Sequence, residues 1–376
     1  MAVVAIGAAA GLALVGATYA LLHAVLDLDF ADGGGAVLAA FVTAIVGGGA
    51  AGLTMKNINL KRADSRRAAN LMFDGQFEKG AALLGGESES EVLAGSLLLG
   101  SLLRESPRHA QACADLLCAA LRKSRPGDLD PDEEDRILAQ DPPGLDKSIA
   151  EGDRMRNSIA AAISRAVASA GAPAHVGDVR WNFDWCRFGD HTAFRSCTFG
   201  PGTGFAHTAF KTYPDFSGSV FKDSVRFEHI WSPQGLDLVG VTVRGTLDVL
   251  RSYMGRPGSD GSYGLLLTGA TLEGLFVEEL VTNGNLMIDA ATINGRVQIG
   301  NVKCREALAN EAHCDGHFEI HNVAAQGDVS LRGLAVRKQL TVTMSSGRAL
   351  DISDVKVGGS VRVEANTFEH VAESAI

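Results

Sequence analysis

Nine phenylalanines fall on one period. Phe183, Phe194, Phe205, Phe216 and Phe227 step by eleven, and Phe188, Phe199, Phe210 and Phe221 form a second, interleaved series. The steps therefore alternate five and six. Side chains recur about every 3.6 residues in a helix and every 2 in a strand, so neither element alone repeats at eleven. A fixed period of this kind means stacked copies of one unit. The residue two before each Phe is mostly small: Cys186, Thr192, Cys197, Thr203, Thr208 and Ser219. Residues two apart on a strand share a face, so the small and the large residue both turn inward.

The register outlasts the phenylalanines. Inward-type pairs mark it at Trp181/Phe183, Val225/Phe227, Leu236/Leu238 and Leu247/Val249, and an insertion near Ser252 to Tyr263 breaks the count. It resumes at Leu265/Leu267, Leu275/Val277, Leu286/Ile288 and Val297/Ile299, and passes through Phe318/Ile320, Leu340/Val342 and Val361/Val363. Two units make a turn of about twenty-one or twenty-two residues, the size of one β-solenoid coil. Glycines such as Gly200, Gly240, Gly269, Gly295 and Gly359 fit corners that need positive φ. A run of hairpins in an antiparallel sandwich is the alternative, but hairpins rarely hold one period over so many units.

The stretch CRFGDHTAFRSCTFGPGTGFAHTAFKTYPDFSGSVF, residues 186–221, resembles the pentapeptide-repeat family, in its Phe-rich form. The likeness is strong over residues 178–232 and weaker to residue 364, where aliphatics replace Phe. It implies a right-handed, four-sided β-helix of about 8–9 coils over residues 173–376. It implies no shared catalytic residue.

The 376 residues allow two to three domains, and the formal net charge of −10 argues against a general nucleic-acid binder. Six cysteines form no close-spaced framework, which points to a reducing compartment. Residues 2–26 carry no Asp, Glu, Lys or Arg, and residues 35–55 repeat that apolar pattern. Each is long enough to cross a bilayer core of ~30 Å as a helix. Lys56, Lys61, Arg62, Arg66 and Arg67 follow, so the positive-inside rule sets the rest of the chain on the cytoplasmic side. The expectation is a two-span transmembrane hairpin over residues 1–56 in the inner membrane, with both termini cytoplasmic. The lipid bilayer is then a partner, and the Gly-rich spans a route to a homo-oligomer.

Residues 57–172 read as a small cytoplasmic α-helical domain. Its helices run Asp64 to Leu84, Glu87 to Glu105, His109 to Lys123 and Ser148 to Ala170, with a Pro- and acid-rich loop at 125–144. Residues 66–124 resemble the helical segment of membrane-anchored pentapeptide-repeat proteins of actinobacteria.

Chemistry-bearing residues are few. Cys304, His313, Cys314 and His317 lie in what reads as an insertion between coils. Cys and His so spaced resemble zinc ligands, but the spacing fits no known finger. Cys186 and Cys197 occupy the small inward position and read as core. His191, His207 and His229 fall outside the inward pairs, and no nucleophile stands in a strained elbow. The expectation is no catalytic residue, no cofactor and no metal site. The function expected is a membrane-anchored, non-enzymatic scaffold whose solenoid binds another protein. One alternative is a membrane effector of a bacterial defence or stress system, sensing through the solenoid and assembling through the spans. A second is a DNA mimic that binds topoisomerases, but 23 acidic against 18 basic residues from Asp178 onward is no phosphate-like face.

Overall fold

The structure, a computed structural model, describes residues 34–86, 88–123, 153–189, 192–254 and 263–372. The chain divides into two compact units between Met72 and Phe73. Four α-helices lie among the described residues: α1 (Gly34–Leu84), α2 (Glu89–Glu105), α3 (Ala110–Lys123) and α4 (Asp153–Val167). A parallel β-solenoid of about 8 turns follows, from 187 to 372.

The transmembrane hairpin is a correction. α1 does not end after the apolar stretch 35–55 but continues through Lys56, Lys61, Arg62, Asp64, Arg66 and Arg67 to Leu84. Among the described residues no helix is long and apolar enough to cross a membrane. A two-pass inner-membrane protein therefore finds no support, and the first expected span, residues 2–26, lies outside the described residues.

Four parallel ladders run the length of the solenoid, one per side of the coil. The first joins residues 182, 204, 226, 248, 276, 298, 319, 341 and 362. The second joins 187, 209, 231, 253, 281, 303, 324, 346 and 367. The third joins 193, 215, 237, 266, 287, 308, 330, 351 and 372. The fourth joins 198, 220, 242, 271, 292, 313, 335 and 356. The four-sided coil thus persists beyond residue 232. Its step is 22 residues in the Phe-rich turns and 21 or 22 later, apart from one enlarged turn.

The two Phe series are explained by these sides. Phenylalanines eleven apart face each other across the core, and those twenty-two apart stack. Phe183, Phe205 and Phe227 form one column with ring centroids 4.8 and 4.7 Å apart. Phe194–Phe216, Phe188–Phe210 and Phe199–Phe221 stack at 5.2, 5.0 and 4.9 Å on the other three sides. Strands in a sheet lie about 4.8 Å apart, so the backbone spacing sets the ring spacing. Most contacts between columns are edge-to-face, as for Phe188 and Phe194 at 5.8 Å, the geometry that aromatic quadrupoles favour. The small inward residues are buried too, and the hydroxyls of Thr203, Thr208 and Ser219 donate to backbone carbonyls, Thr208 to that of Phe183 at 2.8 Å.

Corners hold a surprise. At the corner between the first and second sides each turn puts a residue in the left-handed region, and none is glycine. Trp185, His207, His229, Arg251, Glu279, Asn301, Asn322, Met344 and Ala365 have φ between 47 and 64°. Gly240 (φ 64°) and Gly269 (φ 67°) serve the corner between the third and fourth sides. Gly295 answers a different need: a Cβ there would stand 2.1 Å from the Glu273 carbonyl oxygen of the preceding turn.

Helices α2 to α4 close the N-terminal end of the solenoid. α2 opens on a capping box, with the Ser88 side chain accepting from Glu91 N–H and Glu91 reaching back. Arg122 donates to the carbonyls of Asp184 (2.8 Å) and Asn182. Gln111 and Arg180 exchange two bonds at 2.8 and 3.0 Å, and Ser169 N–H donates to Ser196 O at 2.9 Å. One apolar core runs from Leu84 through Trp181 and the Phe columns to Val355. The helices expected as a separate domain share that core, since each would otherwise leave an apolar stripe in water.

Candidate interaction surface

The outward positions of a solenoid strand alternate with the inward ones, and most are polar here. The third side departs from this in its middle. Leu266 pairs in register with Met287, and Met287 with Leu308. Their neighbours Leu265, Leu267, Leu286, Ile288, Ala307 and Ala309 are buried inward. The column Leu266–Met287–Leu308 therefore lies on the outer surface, half-buried by its own row. Asp237 and Ser330 bound it above and below. Tyr263, 60% exposed, packs on Tyr213 at 5.2 Å on the same side. Burial raises the Tyr213 hydroxyl pKa, and the Asp237 charge raises it further, so the ring is neutral. A polar rim surrounds the column: Ser330 donates to Asn310 at 2.6 Å, and Asn285 to Glu306 at 3.1 Å.

The sequence carries a signal for this column that the inward pairs concealed. Leu265–Leu266–Leu267 and Leu286–Met287–Ile288 are apolar triplets where a half-buried strand should alternate.

The cysteine and histidine set is a second correction. Cys304 ends the strand Val297–Cys304, His313–Cys314 is a strand, and His317 opens His317–Ala325. These are regular rungs and not an insertion. The irregular rung is Ala307/Ala309, two small buried residues on the third side where other turns carry large ones. Cys304 and Cys314 are buried, on the second and fourth sides, and His313 is exposed. Among the described residues no group of three or more His, Cys, Asp or Glu side chains is placed to hold a metal ion. Burial pushes the Cys304 and Cys197 thiols up to about 12, and the Cys186 thiol rises too, so all three stay protonated at neutral pH.

One Ser–His–Asp arrangement escaped the sequence reading. His109 lies between Ser106 Oγ, 2.8 Å from its Nδ1, and Asp74 Oδ1, 2.8 Å from its Nε2. Ser106 is 4% exposed, and its N–H is spent on the Leu102 carbonyl. A nucleophile needs an open face and nearby free N–H donors for the oxyanion. This trio instead pins the α1 segment after Phe73 to the turn between α2 and α3.

At the left-handed corner, Trp185 stacks on His207 at 3.9 Å, and His207 on His229 at 4.6 Å. His191 lies outside the described residues.

Three groups bear on kinship: protein families, curated proteins and solved structures. None matches. The repeat fold and its surfaces carry the functional argument.

Proposed function

We propose that the chain is a non-enzymatic interaction module, a rigid solenoid whose third side docks another protein. The observation that carries this is the outward column Leu266–Met287–Leu308 with Tyr263 beside it. Contiguous exposed apolar groups inside a polar rim mark protein contacts, and aromatic and Met side chains are enriched there. A solenoid suits the task because neighbouring turns hold the column at fixed spacing, so little side-chain order is lost on docking. Over residues 178–232 we read the coil as the pentapeptide-repeat type, supported by the small-x-large inward pairs on four sides. The membrane-effector alternative rested on the spans and goes with them.

The test is crosslinking and recovery from cells with the full chain. Leu266→Asp with Leu308→Asp should cut partner recovery at least tenfold while thermal unfolding shifts little, because both side chains point outward. Unchanged recovery in the folded double variant would remove the reading, and so would unchanged recovery after deletion of residues 178–376.

A further inference from the structure

On the fourth side the outward residues of three successive turns form a small grid. His313, Ala335 and Lys356 are register partners in one row. Two residues on along the same turns stand Asp315, Arg337 and Gly358. Ala335 and Gly358 have almost no side chain, so a depression of about 400 Å³ opens between the longer groups. Gly358 is kept small by its neighbour, since a Cβ there would lie 2.4 Å from the Arg337 carbonyl oxygen.

The cations at this depression differ from most arginines of the solenoid. Its other arginines mostly meet carboxylates. Arg195 pairs with Asp215, Arg226 with Asp248, Arg251 with Glu228, Arg296 with Glu319, and Arg348 with Asp328. Among the described residues no carboxylate lies within ion-pair distance of Arg337 or Lys356, although both are exposed. They stand diagonally across the low floor, on adjacent turns and in different rows. His313 borders the recess from the preceding turn, its Nε2 3.2 Å from Asp315 Oδ1. Two cations without an ion pair thus face one recess, and the carboxylate that also lines it, Asp315, lies against His313.

We propose that this depression binds a compact oxyanion of the phosphate class. Arg337 supplies a planar fork for two oxygens, and Lys356 a point charge from the opposite side. Ala335 and Gly358 let the anion settle to backbone level, where water screens the contacts less. The site is separate from the apolar column on the third side.

Titration of the full chain with inorganic phosphate, followed by calorimetry or amide NMR at constant ionic strength, tests this. Saturable binding is expected, weakened at least tenfold by Arg337→Gln and by Lys356→Gln. Lys303→Gln makes the same charge change on the second side and should leave it intact. Ala335→Leu fills the floor without altering charge and should abolish binding in a protein that unfolds as the parent does. The proposal is overturned by absent saturation, by binding that survives Arg337→Gln and Lys356→Gln, by equal loss in Lys303→Gln, or by retention in Ala335→Leu.

Discussion

At the residue scale the molecule is governed by which side chain sits above which. Phe205 is the clearest case. It is fully buried, stacked on Phe183 and Phe227, and meets Phe216 edge-on at 5.3 Å. Removing its ring strips two stacking partners and leaves a cavity that the rigid turns cannot close. Phe205→Ala should therefore cost about 3–5 kcal/mol in denaturant unfolding. Phe205→Leu, which resembles the aliphatic rungs of later turns, should cost distinctly less. Equal costs for the two would mean that the column is loosely packed. Later rungs replace Phe by Val, Leu and Ile at the same inward positions, as in the run Phe227, Val249, Val277, Ile299 and Ile320.

At the scale of elements, the question is how a stack of parallel turns begins. The first turn would expose its carbonyls, and Arg122 meets two of them, at Asp184 and Asn182. Arg122→Ala should leave both half-buried acceptors short of a donor and destabilise by about 1 kcal/mol, read as a shift in the midpoint of chemical unfolding. An unmoved midpoint would make the contact incidental. This docking was not legible in the sequence, because neither Arg122 nor Gln111 carries a pattern that names its distant partner. The helices themselves were legible from their apolar spacing: Glu89–Glu105 and Ala110–Lys123 lie within two residues of the expected bounds. The solenoid period was legible for the same reason, since eleven-residue steps admit few other folds. The corners were not. Trp185, His207 and Glu279 adopt positive φ with nothing in their residue type to announce it. Gly295 looked like a corner but is a point of close approach. The rung at Ala307/Ala309 reads as an insertion because two alanines make no apolar signal. The apolar surface column hides inside triplets whose outer members face inward.

At the scale of the solenoid as a whole, each turn contacts only its neighbours, so stability should vary along the stack. The N-terminal turns are held by helices and Phe columns. The last described strands, Val361–Glu364 and Thr367–Ala372, pair on one side only, and Val371 is 52% exposed. Native-state hydrogen exchange should therefore show a gradient, fastest for Thr367–Ala372 and slowest around Phe194–Phe227. Uniform protection along all turns would indicate a single cooperative block instead.

The enlarged turn has its own consequence. From Tyr253 to Val281 the second ladder advances 28 residues, yet the pairings Trp231–Tyr253 and Tyr253–Val281 both hold. The third ladder likewise steps from Asp237 to Leu266 without losing register. The flanking turns thus keep their pairings past this enlargement, with one bulge where Leu272–Gly274 runs beside Val243–Thr246. That bend is where a foreign peptide could be spliced in and displayed, with the stack carrying on beneath it.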